Sequence, residues 1–174
     1  LEYGESSSIS DAIDKLILDV SSAIDKGTTI IHLNEALPSK NKLSLNALMA
    51  TGALHQALIE QRNRTKVNII VSTGSARDTH QIACLIAFGA TSVYPWLAYQ
   101  TILDLSHKTE LKGDPFENCA KYRKGINKGL LKIISKLGIS LISSYRGSQL
   151  FEIVGLSNDC LLYTSDAADE LLCV

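Results

Sequence analysis

The sequence predicts an α/β fold: alternating βα units that build a short parallel sheet covered by helices, partly barrel-like. Three observations carry that expectation. Segments with apolar residues at helical spacing alternate with short β-branched runs. The connections between them are too short for an antiparallel meander, which leaves parallel strands joined by helical crossovers. Four strand-like runs are visible, too few to close an eight-stranded barrel, so the pattern fits an open sheet or part of a barrel.

Each element has its own signal. Ser10 is placed to cap a helix over Asp11–Lys26, with Ile13, Leu16, Ile17, Val20 and Ile24 on one face and Gly27 just past the end. Thr28–Leu33 (TTIIHL) is short and β-branched and reads as a buried strand. Asn34–Lys42 contains Pro38 and no apolar rhythm, and is expected to be a loop. Ser44 offers a cap for a helix over Leu45–Arg62, where Leu48, Met49, Gly52 and Ile59 share a face. Lys66–Ser72 (KVNIIVS) is the second strand, and Ala76–Phe88 a helix closed by Gly89. Thr91–Tyr94 is a brief third strand, and Pro95 opens a helix to His107, proline being suited to a first helical position. After a polar loop, Asp114–Leu137 is the longest helical pattern. Ile139–Ser143 is a fourth strand and Tyr145–Val154 a last helix.

Composition narrows the functional classes. The 174 residues are 45% hydrophobic and 20% charged, enough apolar residues to build a core in one ordinary domain. No apolar run approaches the roughly 18 residues of a membrane span, and no secretory leader is visible at the start. Four scattered cysteines form no C-x-x-C pair, which argues against a disulfide framework or a zinc site. A formal charge of −1 gives no reason to expect nucleic acid. A soluble, cytoplasmic chain is expected, with neither membrane nor nucleic acid as partner.

In parallel α/β folds the chemistry gathers at the carboxyl ends of the strands. The richest such stretch is TGSARDTH, Thr73–His80. Gly74 permits a tight turn, and the N–H groups of Ser75–Arg77 would open a helix that favours an anion, with Arg77 adding a bidentate contact. The bland reading is that Ser75 caps the helix, Asp78 sits favourably in its first turn and Arg77 pairs with a carboxylate. No phosphate-loop glycine pattern accompanies it, which favours the second reading. SSYRGSQ, Ser143–Gln149, is the other stretch, where Tyr145 and Arg146 lie just beyond a strand and Gly147 permits close backbone approach.

Lys121, Lys124, Lys128, Lys132 and Lys136 form a stripe on the long helix, opposite Ile126, Leu130, Ile133 and Leu137. With no interleaved aromatic residues it reads as a solvated face before it reads as a binding surface. Gly125 and Gly129 in that helix each cost roughly 1 kcal/mol against alanine, which predicts close contact with another backbone. His32, His55, His80 and His107 lack metal spacing, Cys84 falls in an apolar run, and Cys119 has no activating partner. No catalytic set is visible.

Long blocks of the chain resemble one family. Leu45–Gly74, Gly74–Ile102 (GSARDTHQIACLIAFGATSVYPWLAYQTI) and Tyr122–Leu156 (YRKGINKGLLKIISKLGISLISSYRGSQLFEIVGL) are similar to the central domain of the glutamate synthase large subunit. With a weaker N-terminal match, the resemblance covers nearly all of residues 10–158. It implies an enzyme that hydrolyses glutamine at an amidotransferase domain and passes ammonia through a tunnel. An FMN-binding barrel domain then condenses the ammonia with 2-oxoglutarate and reduces the imine to glutamate. A 3Fe-4S cluster would relay electrons from an NADPH-oxidising small subunit or from ferredoxin. The central domain joins the two catalytic domains. No FMN, cluster or nucleophile residue of the family maps onto this chain, so no catalytic, cofactor or metal residue is assigned. Ser75, Arg77, Asp78, His80, Tyr145 and Arg146 are the candidates for an inter-domain interface or tunnel wall. A freestanding anion-binding α/β module and a basic-helix interaction protein are the alternatives.

Two features of the ends shape these expectations. The chain begins with Leu1, which suggests a fragment of a larger protein. Cys160–Glu170, CLLYTSDAADE, resembles the translation of a transposon end used in preparing sequencing libraries. Residues 160–174 are therefore expected to be a non-native tail and residues 1–159 the biological sequence.

Overall fold

The central strand of the sheet explains most of the architecture. Asn68–Thr73 (β4) lies between Ile30–Glu35 (β2) and Ser92–Pro95 (β5), all parallel. Ile31 pairs with Ile69, Leu33 with Val71 and Val71 with Val93, so branched side chains stack across the sheet. In β2 only alternate residues, Ile31 and Leu33, are buried, whereas β4 buries Ile69, Val71, Ser72 and Thr73. That is the difference between an edge strand with one covered face and a middle strand covered on both. The computed structural model describes residues 1–4, 8–35, 40–148, 150 and 151. Among them the sheet is open, with β2 and β5 as its edges.

The helices are Ile9–Asp25 (α1), Ala47–Glu60 (α2), Thr79–Ala87 (α3), Trp96–His107 (α4), Pro115–Lys136 (α5) and the single turn Ile142–Tyr145 (α6), with a 3-10 turn at Arg64–Lys66. α2 is buried almost all round: Ala47, Ala50, Thr51, Gly52, Ala53, Leu54 and Leu58 are all inside. Its small residues let it sit between the sheet, α1 and α3. Thr51 donates its hydroxyl to the Ala47 carbonyl at 2.6 Å, so the buried oxygen is satisfied. Leu54, Leu58, Ile69, Val71, Ile82, Leu85, Leu130, Ile134 and Tyr145 belong to the main core.

Helix starts moved where a better cap stood nearby. Ser8, not Ser10, caps α1: the Ser8 hydroxyl accepts from the Asp11 N–H at 3.0 Å and the Asp11 carboxylate accepts from the Ser8 N–H at 3.2 Å. Those bonds to Ser8 hold the Asp11 carboxyl below its ordinary range. Asn46 caps α2 by accepting from the N–H groups of Leu48 and Met49, at 2.9 and 3.2 Å, because Ser44 belongs to a strand. That strand, Lys42–Ser44 (β3), pairs antiparallel with Glu2–Gly4 (β1) and adds an ion pair between Lys42 and Glu2 at 2.5 Å. The sequence showed neither strand, since three residues give too little alternation to read. Of the stretch expected to be loop, residues 36–39 lie outside the described residues.

The expected fourth strand at Ile139–Ser143 is not a strand. Ile139 follows Gly138, whose φ is +72°, and α6 closes at Tyr145, which is fully buried. A β-rich run becomes a strand only when it reaches a free sheet edge in register, and here the inward turn of Tyr145 takes the chain elsewhere. The helix expected over Tyr145–Val154 is also corrected: Tyr145 ends α6, Gly147 has φ +73°, and the described residues beyond it are not helical. Residues 152–154 of that expectation, and the whole tail 160–174, lie outside the described residues.

In α5 the five lysines of the stripe are exposed, and Asn118, Leu130 and Ile134 are the buried residues, with Leu137 still 42% exposed. The two glycines of that helix differ. A Cβ on Gly129 would lie 2.6 Å from the Thr79 side chain, so Gly129 brings α5 against the start of α3. Gly125 faces open space, and its expected close contact is not there.

Candidate functional site

The C-terminal end of the sheet is built on one level. The register sets Glu35, Thr73 and Pro95 side by side. The Thr73 hydroxyl donates to the Glu35 carboxylate, and the Ser75 hydroxyl donates to the same oxygen at 2.9 Å. The Ser75 N–H in turn donates to the Thr73 hydroxyl at 3.0 Å, which folds the turn after β4 back onto its own strand end. The Trp96 indole N–H donates to the Glu35 carbonyl at 3.1 Å. Gly74 permits that arrangement, since a Cβ there would meet the indole ring at 2.9 Å. Glu35 is therefore the organising residue of this end, and the sequence reading missed it by ending its strand at Leu33.

The helix that follows starts later than its apolar pattern suggested. Asp78, not Ser75, caps α3: its carboxylate accepts from the Gln81 N–H at 2.8 Å. The Gln81 side-chain oxygen accepts from the N–H groups of Arg77 and Asp78, at 2.7 and 3.2 Å. Of the backbone donors expected to cradle an anion at Ser75–Arg77, those of Ser75 and Arg77 are satisfied from within. An incoming anion would also meet the Asp78 carboxylate. The Arg77 guanidinium is exposed and has no ion-pair partner among the described residues. The Arg77 carbonyl accepts from the Tyr122 hydroxyl at 2.8 Å, which ties the loop to α5. Tyr122 meets Tyr99 edge-on at 5.4 Å, and Tyr99 stacks on Tyr94 at 5.7 Å. This aromatic ladder joins β5, α4 and α5. Burial raises the hydroxyl pKa of both Tyr99 and Tyr122.

His80 is exposed, packs edge-on against Phe151 at 5.4 Å, and lies 3.6 Å from the Cys84 sulfur. Burial, reinforced by the Asp78 charge, pushes the Cys84 thiol up, the opposite of an activated nucleophile. Tyr145 also contacts Phe151, at 6.5 Å. Its hydroxyl is buried without a hydrogen-bond partner among the described residues, and burial pushes its pKa up to about 12.

Arg146 sits at the other end of the sheet. Its guanidinium donates to the Thr91 hydroxyl at 3.0 Å, just before β5 begins. Thr91 is itself tied to Ile69 at the start of β4, donating its N–H at 2.8 Å and accepting at its hydroxyl at 3.2 Å. Because Ile139–Ser143 is not a strand, Arg146 does not follow a strand end, and Arg77 and Arg146 are not brought together. Beside Arg146 lie two residues whose importance no motif signalled. Arg64 donates to the Val67 carbonyl, the Gly89 carbonyl and His55 Nδ1, at 2.7, 2.7 and 2.8 Å. The His55 ring fills the space left by two glycines: a Cβ on Gly89 would come within 2.5 Å of it, and one on Gly147 within 2.6 Å. The Gly147 N–H donates to the Ala87 carbonyl at 2.7 Å and closes the cluster. Burial, then the charges of Arg64 and Arg146, lower the His55 pKa to about 4, so the ring is neutral and accepts at Nδ1.

Among the described residues no group of three or more His, Cys, Asp and Glu is placed to hold a metal ion. No helix of the described residues is long and apolar enough to cross a membrane.

Comparison with known proteins bears on this arrangement. The family model described as "Glutamate synthase central domain" matches residues 2–157. The chain is 41% identical over 150 residues to the glutamate synthase [NADPH] large chain of Bacillus subtilis, covering 86% of this chain and 10% of that protein. It is 39% identical over 164 residues to the ferredoxin-dependent glutamate synthase of Cyanidium caldarium, covering 87% of this chain and 11% of that one. With the glutamate synthase [NADH] of Saccharomyces cerevisiae the identity is 35% over 156 residues, with 85% and 7% covered. The chain thus spans about a tenth of the length of the curated relatives it matches. On the match to residues 2–157 and these identities, the chain belongs to the glutamate synthase central domain family.

Proposed function

We propose that this chain works as a linking segment of a glutamate synthase large chain, positioning its neighbours without contributing a catalytic residue. The whole enzyme would transfer the amide nitrogen of glutamine reductively to 2-oxoglutarate. The segment's task would be to hold the amidotransferase and flavin domains in register along the ammonia path. Relatives named for NADPH, NADH and ferredoxin match at 31–41% identity, so the reading takes no side on the electron donor.

The observation that carries the proposal is how the polar groups at the C-terminal end of the sheet are used. In catalytic α/β domains that end is open to substrate. Here Glu35, Thr73 and Ser75 bond to one another, and Asp78 and Gln81 bond to the start of α3. These groups position backbone; they do not converge on a vacant point. The residues present also do not fit the family's cofactors. Among the described residues, Cys84 and Cys119 stand on different helices without further ligands, which does not match an iron–sulfur cluster. The N–H groups of Ser75 and Arg77, two of the donors a flavin phosphate would need there, are already engaged. No step is derived through either group.

The test is coupling. In the intact large chain, Arg77→Ala and Arg146→Ala should raise the glutamine hydrolysed per glutamate formed, as ammonia escapes a loosened domain junction. An unchanged ratio in both variants would overturn the interface role.

A further inference from the structure

The cluster at the N-terminal end of the sheet carries positive charge, and among the described residues no carboxylate pairs with it. Arg64 and Arg146 are both half-buried and dock on the same short stretch of chain, Arg64 on the Gly89 carbonyl and Arg146 on the Thr91 hydroxyl. Neither forms an ion pair with any carboxylate of the described residues. The nearest acidic side chain in sequence, Glu60 at the end of α2, is exposed and pairs with neither. Exposed Arg62 and Lys66 flank Arg64 and add to the positive field. Beside the two arginines lies the His55 imidazole, which accepts from Arg64 at Nδ1 and is kept neutral first by burial and then by the two guanidinium charges.

The two guanidiniums are not equivalent. Arg64 uses all three of its nitrogens on fixed internal acceptors and serves as the floor of the cluster. Arg146 uses one nitrogen, on a neutral hydroxyl, and keeps the rest of its planar fork. A fork in that state matches a carboxylate in bidentate geometry. Two like charges held near one another and partly withdrawn from water repel until an anion joins them. We propose that Arg64 and Arg146 form a docking site for a carboxylate side chain supplied by an adjoining domain of the same large chain.

Two arguments select a protein carboxylate over a free substrate. The N-terminal end of a parallel sheet serves stability, while ligands gather at the other end. The chain also makes up about a tenth of its relatives, so most of the enzyme is left to supply the partner. The inference rests on the linking-segment reading, but its test is read by mass and melting, independently of the coupling ratio.

Arg146→Lys keeps the charge and a donor for Thr91. In the intact large chain carrying it, a water-soluble carbodiimide joins the new amine to any carboxylate in contact with it, and mass spectrometry identifies the linked peptide. The expected result is an amide link from position 146 to an Asp or Glu outside residues 1–157. In a second arm, citrate is titrated against the intact wild type and Arg146→Gln. If no link forms but citrate raises the Tm of the wild type alone, the occupant is a free anion and the docking proposal is overturned. A link confined to residues 1–157 overturns the proposal. So does the absence of both the link and the citrate-dependent shift.

Discussion

The two ends of the parallel sheet are held by opposite chemistry. At the C-terminal end a carboxylate collects hydroxyls: Glu35 accepts from Thr73 and Ser75, while Asp78 and Gln81 close the start of α3. Apart from Glu35, the partners lie within nine residues of one another, Thr73 to Gln81. At the N-terminal end a guanidinium collects acceptors: Arg64 binds Val67, Gly89 and His55, and Arg146 adds the Thr91 contact. Those partners come from α2, the 3-10 turn, the loop before β5 and the turn after α6. The first end is a local device of caps and turns, and the second exists only once distant segments have packed. The second should therefore be more cooperative and less forgiving.

Four changes would break or sharpen that contrast. The largest effect is expected from Gly89→Ala, which places a Cβ 2.5 Å from the His55 ring at a φ of +118°. It should destabilise the chain by on the order of 3 kcal/mol, read from the urea midpoint. Gly74→Ala at the opposite end meets only the indole rim at 2.9 Å without positive φ, and should cost about 1 kcal/mol. Equal costs would erase the distinction.

Next in size is an acid response confined to the N-terminal cluster. The folded His55 has a pKa of about 4 against an ordinary 6.5. Between those values the unfolded chain binds the extra proton, so stability is complete above pH 6.5 and declines as pH falls towards 4. After allowance for its partial exposure, the loss should be roughly 2 kcal/mol. Stability curves of wild type and His55→Gln across this window check it: the variant should be flatter by that amount. Parallel curves would show that His55 does not carry the response. The smallest effect is Asp78→Ala, which removes the α3 cap and should cost about 1 kcal/mol. Hydrogen exchange should quicken in the first turn of α3 and leave the His55 cluster protected.

Legibility in the sequence followed the same divide. The parallel strands at residues 30–35, 68–73 and 92–95 and the five long helices were visible because periodicity and caps act over a few residues. Their ends shifted by one to three residues where a neighbouring Ser8, Asn46 or Asp78 made the better cap. Of the candidate residues, Asp78 takes the cap expected of Ser75, and Ser75 bonds to Thr73 and Glu35 at the strand ends instead. Arg146 was misplaced because Ile139–Ser143 has strand composition but does not pair with either edge of the sheet. Glu35 escaped notice because its partners, Thr73 and Ser75, lie 38 and 40 residues away. Arg64 and His55 gave no signal, since an arginine that serves backbone carbonyls needs no motif.

By itself the sequence determined the fold class and, through long matched blocks, the family. Alternating periods and family blocks are properties of contiguous residues, so they survive in one dimension. Only the tertiary structure decided which polar residues meet: it separated Arg77 from Arg146 by the length of the sheet, joined Arg146 to Arg64 and His55, and put Glu35 at the centre of the opposite end. Hydrogen bonds between residues tens of positions apart depend on register and packing, and those are set only when the core closes.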